Sequence, residues 1–79
     1  MGSSKAKVVY HGEWQTYDDS AELFILELSD DRFFYIELAS NPYTPRGFTN
    51  SGFLSLEESI DRIEEFEQVI KEITYGDLL

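Results

Sequence analysis

The chain has 79 residues, 16 Asp plus Glu against 6 Lys plus Arg, and a formal net charge of −10. A surface of that sign repels nucleic acid and anionic membranes and attracts basic protein surfaces, including those that hold nucleic acid. With 42% apolar and 15% aromatic residues it is too hydrophobic for a disordered acidic tail, and with no Cys it has no disulfide framework, thiolate nucleophile or Cys-type zinc site.

A chain this short is read as one domain with a small core, residues 7–79, after a flexible leader at 1–6. It contains no run of about 18 apolar residues that could cross a membrane as a helix. Its opening, Met1-Gly2-Ser3-Ser4-Lys5, lacks an apolar signal region. A cytoplasmic location follows as the expectation.

Residues 7–17 are rich in β-branched and aromatic types and predict a first, half-buried strand. Val8, Tyr10, Trp14 and Thr16 share one side at period two, while Val9, His11, Glu13, Gln15 and Tyr17 share a more polar side. Gly12 is a candidate bulge, and Asp18-Asp19-Ser20 a turn. Residues 21–29 and 32–40 predict a second and third strand joined by a tight Asp30-Asp31 hairpin. Pairing Ser29 with Arg32 sets Leu28 against Phe33, Leu26 against Tyr35 and Leu23 against Leu38. One side then carries Leu23, Ile25, Phe34, Ile36 and Leu38, and the other Phe24, Leu26, Leu28, Phe33, Tyr35 and Ala39.

Residues 41–54 hold Pro42, Pro45, Gly47 and Gly52 and read as a long connection. From 56 to 74 a helix is predicted: Ser55 is its N-cap, and Glu58 completes a capping box. Leu56, Ile60, Ile63, Phe66, Val69, Ile70 and Ile73 form its apolar stripe, with Gly76 placed for a left-handed C-cap. The expected fold is α+β, a three-stranded antiparallel sheet packed against one C-terminal helix in the order β-β-β-α.

Chemistry-bearing motifs are scarce. His11 is the one histidine, with no Cys and no Ser or Asp motif beside it, and reads as a strand residue. Asp18-Asp19 and Asp30-Asp31 read as turn residues, because Asp bonds its own backbone there. The chain has neither a calcium loop nor a phosphate-cradling Gly motif. No catalytic residue, metal site or cofactor is expected, and direct nucleic-acid binding is opposed by the shortage of Lys and Arg.

The positive signal is the helix. Glu57, Glu58, Asp61, Glu64, Glu65, Glu67 and Glu72 lie off its apolar stripe, interrupted only by Arg62 and Lys71; seven acids against two bases leave it at −5. Neighbours three to four residues apart stand about 5–6 Å from each other along the helix, a spacing comparable to that of successive phosphates. A basic groove that accepts phosphates could accept this face. Acidic helix faces also serve as plain solvated surface.

A second surface follows from the sheet. One helix covers one side only, leaving Phe24, Leu26, Leu28, Phe33 and Tyr35 for the 41–54 loop, a second copy or a partner to cover. Phe24, Tyr35, Tyr43 and Arg46 are the candidate residues of this second interface, with Phe48 and Phe53 as plugs for the core edge.

In size, acidity and β-then-α order, through the acidic helix Ser55 to Thr74 and the three aromatic strands, the chain resembles the small phage-encoded inhibitors of CRISPR effectors. Several of that group are DNA mimics. The resemblance implies a non-enzymatic inhibitor in the host-cell cytoplasm that blocks the DNA-binding or PAM-reading groove of a nucleoprotein complex by charge. Bacterial nuclease inhibitors and immunity proteins are similar in acidity, and plug a basic active site instead. The other reading is a small adaptor that dimerises or binds a partner through its apolar sheet face.

Overall fold

The computed structural model describes residues 5–76, without the side chains of 44–46. The order is β1 (Lys7–Gln15), β2 (Ser20–Glu27), β3 (Phe33–Asn41), β4 (Thr44–Leu54) and α1 (Leu56–Gly76). The strands form one antiparallel meander, β1-β2-β3-β4. The α+β class stands, but the sheet has four strands and not three.

The fourth strand comes from the segment read as a connection. Asn41 pairs with Thr44 across a tight turn at Pro42-Tyr43, where the Asn41 side-chain oxygen accepts the Tyr43 N–H at 2.8 Å. Phe48 to Leu54 then run opposite Ala39 to Phe33 without a break. Proline excludes a central strand but not an edge strand, and β4 is an edge. Its irregular start absorbs both Pro45 and Gly47, the latter at φ 79°.

The β2–β3 register also differs from the expected one. Leu26 pairs with Phe34 and Phe24 with Ile36, a slip of one residue. The cause is the turn. The Leu28 N–H donates to the Arg32 carbonyl at 2.8 Å, so the loop is Ser29-Asp30-Asp31, three residues long. Asp31 takes φ 64°, the left-handed residue that a three-residue hairpin requires. Because side chains alternate, one residue of slip exchanges sides along a whole strand. Phe33, Tyr35 and Ala39 therefore join Leu23 and Ile25, while Phe34, Ile36 and Leu38 join Phe24 and Leu26.

Strand β1 ends at Gln15, short of Tyr17. Its bulge falls between Val8 and Tyr10, not at Gly12. Gly12 instead makes room: a Cβ there would lie 2.3 Å from the Tyr10 hydroxyl and 3.0 Å from the Phe66 ring. The missing side chain lets the helix approach the sheet and lets Tyr10 fold over the strand.

The core is small: Ala21, Leu23, Ile25, Phe33 and Phe66 are buried, with Tyr10, Trp14, Tyr35, Leu54, Ile63 and Ile70 packed around them. Both halves of the capping box form. The Ser55 N–H donates to Glu58 Oε1 at 2.8 Å, and the Glu58 N–H donates to Ser55 Oγ at 3.1 Å. The helix rests on the sheet along Ser59, Ile63, Phe66, Ile70 and Ile73, with Ser59 at 3% exposure and its hydroxyl donating to the Ser55 carbonyl. Leu56, Ile60 and Val69, expected in the stripe, lie on its exposed flank. Gly76 is the last helical residue and has no left-handed φ. The leader's residues 1–4 and the tail 77–79 lie outside the described residues.

The radius of gyration is 14.5 Å, with extents of 51 × 27 × 15 Å. A compact chain of this length has a radius of about 12 Å. The excess reflects a thin, two-layer body in which one side of the sheet is bare among the described residues. No helix of the described residues is long and apolar enough to cross a membrane.

Candidate protein-binding faces

The helix and the sheet present two different surfaces on opposite sides of the molecule. On the helix, all seven carboxylates singled out from the sequence are exposed. Two of them bond within the molecule. Glu58 closes the capping box, and its bonds from the Ser55 backbone and hydroxyl hold it below its usual pKa, with Arg62 adding to the effect against a small desolvation penalty. Glu67 accepts the Tyr10 hydroxyl, bridging β1 to the helix. Desolvation, then the Glu67 hydrogen bond and charge, raise the Tyr10 pKa well above its usual value.

Glu57, Asp61, Glu64, Glu65 and Glu72 remain, and none is in an ion pair among the described residues. The packing of Arg62 sharpens this. In the sequence it interrupts the acids, but it turns under the helix, its guanidinium 4.4 Å from the Tyr35 ring centre and 3.9 Å from Glu37. Half-buried there, it leaves exposed Lys71 as the base on the outer side of the helix. The outer face is thus less neutralised than its composition indicates.

On the bare side of the sheet lie Phe24, Leu26, Phe34, Ile36, Leu38 and Phe53, with Val8 at the β1 edge. Leu38 is 38% exposed, Val8 55% and Phe53 60%. The bare side expected from the sequence differs in membership. Phe24 and Leu26 belong to it, but Phe33 is a core residue, and Tyr35 lies beneath the helix against Arg62. Tyr35 is therefore not available as a residue of the second interface. Tyr43 projects from the β3–β4 turn at 92% exposure, and the Arg46 side chain lies outside the described part of the molecule. Phe53 does not plug the core: it stacks edge-on with Phe34 at 5.1 Å and lies under the Arg32 guanidinium at 4.7 Å. Phe48 is likewise exposed, at 48%.

Polar groups mark the two ends of the bare side. At the hairpin end, Arg32 donates from Nε to Asp30 at 2.6 Å. Desolvation works to raise Asp30, but the Arg32 hydrogen bonds and charge outweigh it and hold the carboxyl low. At the other end Glu13 stands directly across from Glu22, while His11 stacks on Phe24 at 4.4 Å and bonds Glu22 through Nε2 at 2.7 Å. The ligand atoms of His11, Glu13 and Glu22 lie within 4.8 Å of one another, the donor set that could hold a divalent cation among the described residues. This grouping is not legible in the sequence, because it depends on the β1–β2 register. A cleft of about 620 Å³ lies at the same end of the sheet, lined from both of its sides by Trp14, Ala21, Ala39 and Phe48 and by Glu13, Glu22 and Leu38.

Compared with family models, curated proteins and solved structures, the chain finds no match.

Proposed function

We propose that this protein is a non-enzymatic, acidic binding protein whose helix occupies a basic, nucleic-acid-binding surface on a protein target. It would act as an inhibitor in the manner of the DNA-mimicking anti-CRISPR proteins it resembles. The observation that carries this reading is the row Glu57, Asp61, Glu64, Glu65 and Glu72, exposed along one helix and free of ion pairs among the described residues. Like charges at such spacing weaken an isolated helix slightly. The local design retains that repulsion and moves the nearest base, Arg62, out of the row. Binding to a basic groove releases counter-ions, so affinity falls as salt rises.

The test is a charge reversal, Asp61→Lys with Glu64→Lys and Glu65→Lys, compared with the unaltered protein for capture of proteins from bacterial lysate. Retained nucleic-acid-binding proteins that elute at moderate salt, are displaced by added duplex DNA and are lost on reversal bear the proposal out. If the reversed protein keeps the same partners with the same salt profile, the helix is solvated surface and the proposal fails. A second reading, an adaptor that docks through the sheet, draws on the bare apolar side.

A further inference from the structure

We infer that the bare side of the sheet is the seat of a second copy of this chain, packed face to face about a two-fold axis that runs obliquely across the strands. This inference rests on the sheet alone and not on the acidic-helix reading.

Three observations select the occupant. The first is the patch itself. Phe24, Leu26, Phe34, Ile36, Leu38 and Phe53 come from three adjacent strands and form one continuous surface that no strand or helix of the described residues covers, with Arg32 over Phe53 and His11 against Phe24 at its margins. The 41–54 segment, which could have folded across it, is instead the fourth strand. Strands about 4.8 Å apart and about eight residues long give a sheet face of roughly 500 Å² in plan. Side chains standing on that face bring its accessible area toward the about 800 Å² per partner of a standard interface.

The second is charge. Arg32 stands at the hairpin end, over Phe53, with Nε engaged by Asp30 and its two terminal nitrogens directed to no acceptor among the described residues. Glu13 and Glu22 stand at the opposite end of the same side. Arg32 and the carboxylate pair lie at diagonal corners of this side, so a two-fold axis between the sheets, at right angles to the line that joins them, lays each corner on the other corner of its mate. Arg32 of each protomer then meets the carboxylate pair of the other, twice, as an isologous contact requires. The directly opposed Glu13 and Glu22, an unfavourable cross-strand pair in the single chain, gain a cation.

The third is the sheet's edges. Strand β1 carries a bulge between Val8 and Tyr10, and β4 opens with Pro45 and the left-handed Gly47. Each device blunts edge-to-edge pairing over part of its strand, and the face offers the broader apolar surface for a second copy. The charge of −10 on each copy opposes association only weakly in this arrangement. Sheets packed about 10 Å apart put the two acidic helices on the outer surfaces, about 30 Å from each other by the same layer spacing. That exceeds the screening length of about 8 Å at physiological salt. Added salt therefore changes little between the helices and weakens only the Arg32 contacts, so a dimer held by the apolar face persists at salt that releases a basic partner.

Sedimentation equilibrium of the full chain at several concentrations, at low and high salt, tests the inference. The expected result is a monomer–dimer equilibrium reaching twice 9.2 kDa that persists at high salt. Leu38→Glu and Phe53→Glu are both at exposed positions, so each should keep the circular dichroism spectrum of the parent. Each should weaken association at least about tenfold, since a desolvated unpaired carboxylate would sit in the contact. Arg32→Glu should weaken association as well, and combination with Glu13→Arg should restore it. A chain that stays monomeric up to millimolar concentration overturns the inference. So does a dimer that survives both sheet substitutions, a dimer that salt dissolves, or a charge swap that fails to restore association.

Discussion

The two sides of this sheet are made from similar residues but end in opposite conditions. On one side Leu23 and Ile25 are fully buried, with Phe33 and Phe66 close to it. On the other, Phe24, Leu26, Phe34 and Ile36 are only half-buried, and Leu38 and Phe53 are exposed. Apolar content does not separate them. What separates them is the helix and the small features that let it dock: Gly12 in β1, Ser59 in the buried row of α1, and the Tyr10–Glu67 bridge. The comparison teaches that an apolar side becomes core only when something of complementary shape reaches it. The side that nothing among the described residues covers is the one to assign to another molecule.

Substitutions can break this contrast or sharpen it. The largest effect is expected at Phe66→Ala, which removes the central helix residue from the covered side and should cost about 3–5 kcal/mol in urea unfolding. A loss near zero would mean that the helix is not docked as described. Gly12→Ala should cost about 1–3 kcal/mol, because the new methyl displaces the Tyr10 hydroxyl and presses on Phe66; an unchanged midpoint would show slack between helix and strand. Ser55→Ala should cost about 1 kcal/mol through the lost cap. Leu38→Thr, on the bare side, should change the stability of the dilute single chain by no more than about 0.5 kcal/mol. If it costs as much as Phe66→Ala, that side is covered after all.

Acid and alkali act on different parts of the same contrast. Glu58 and Asp30 have lowered pKa values in the folded chain. Their contribution is present above the unfolded carboxylate value of about 4 and is lost as pH falls through the lowered folded values. Ser55→Ala should therefore flatten part of the acid limb of a stability–pH curve. Tyr10 is shifted the other way, so its contribution is present below its unfolded pKa of about 10 and is lost as pH rises beyond it. Tyr10→Phe should flatten the alkaline limb, and a limb of unchanged slope would remove the Glu67 bridge from the account.

Local features are legible in the sequence, and features that depend on pairing are not. The helix and its capping box are written within a few consecutive residues, and both are present. The acids of α1 are exposed because Glu57, Asp61, Glu64, Glu65 and Glu72 lie off the docked row at helical period. Strand β4 is hidden because Pro45, Gly47, Asn50, Ser51 and Gly52 carry the composition of a loop, which an edge strand tolerates. The hairpin register is hidden in one residue: Asp30-Asp31 reads as a two-residue turn, whereas Asp31 in the left-handed region makes the loop three residues long. That single difference moves Tyr35 under the helix and puts Phe34 and Ile36 on the bare side. Arg62 reads with the outer acids because spacing places it among them; its contact with Tyr35 draws it beneath the helix. His11, Glu13 and Glu22 are brought together by strand pairing, which no local pattern shows.

The central claim is that the two faces have separate roles, a charged helix for a basic partner and a bare sheet for a second copy. It is tested most directly by backbone amide NMR of the full chain in two titrations, one in its own concentration and one in a lysine-rich peptide at low salt. The expected result is two disjoint sets of shifted resonances. Residues around Phe24, Ile36, Leu38 and Phe53 should respond to concentration, and those around Asp61, Glu64, Glu65 and Glu72 to the peptide. A single set of residues responding to both titrations would contradict the account.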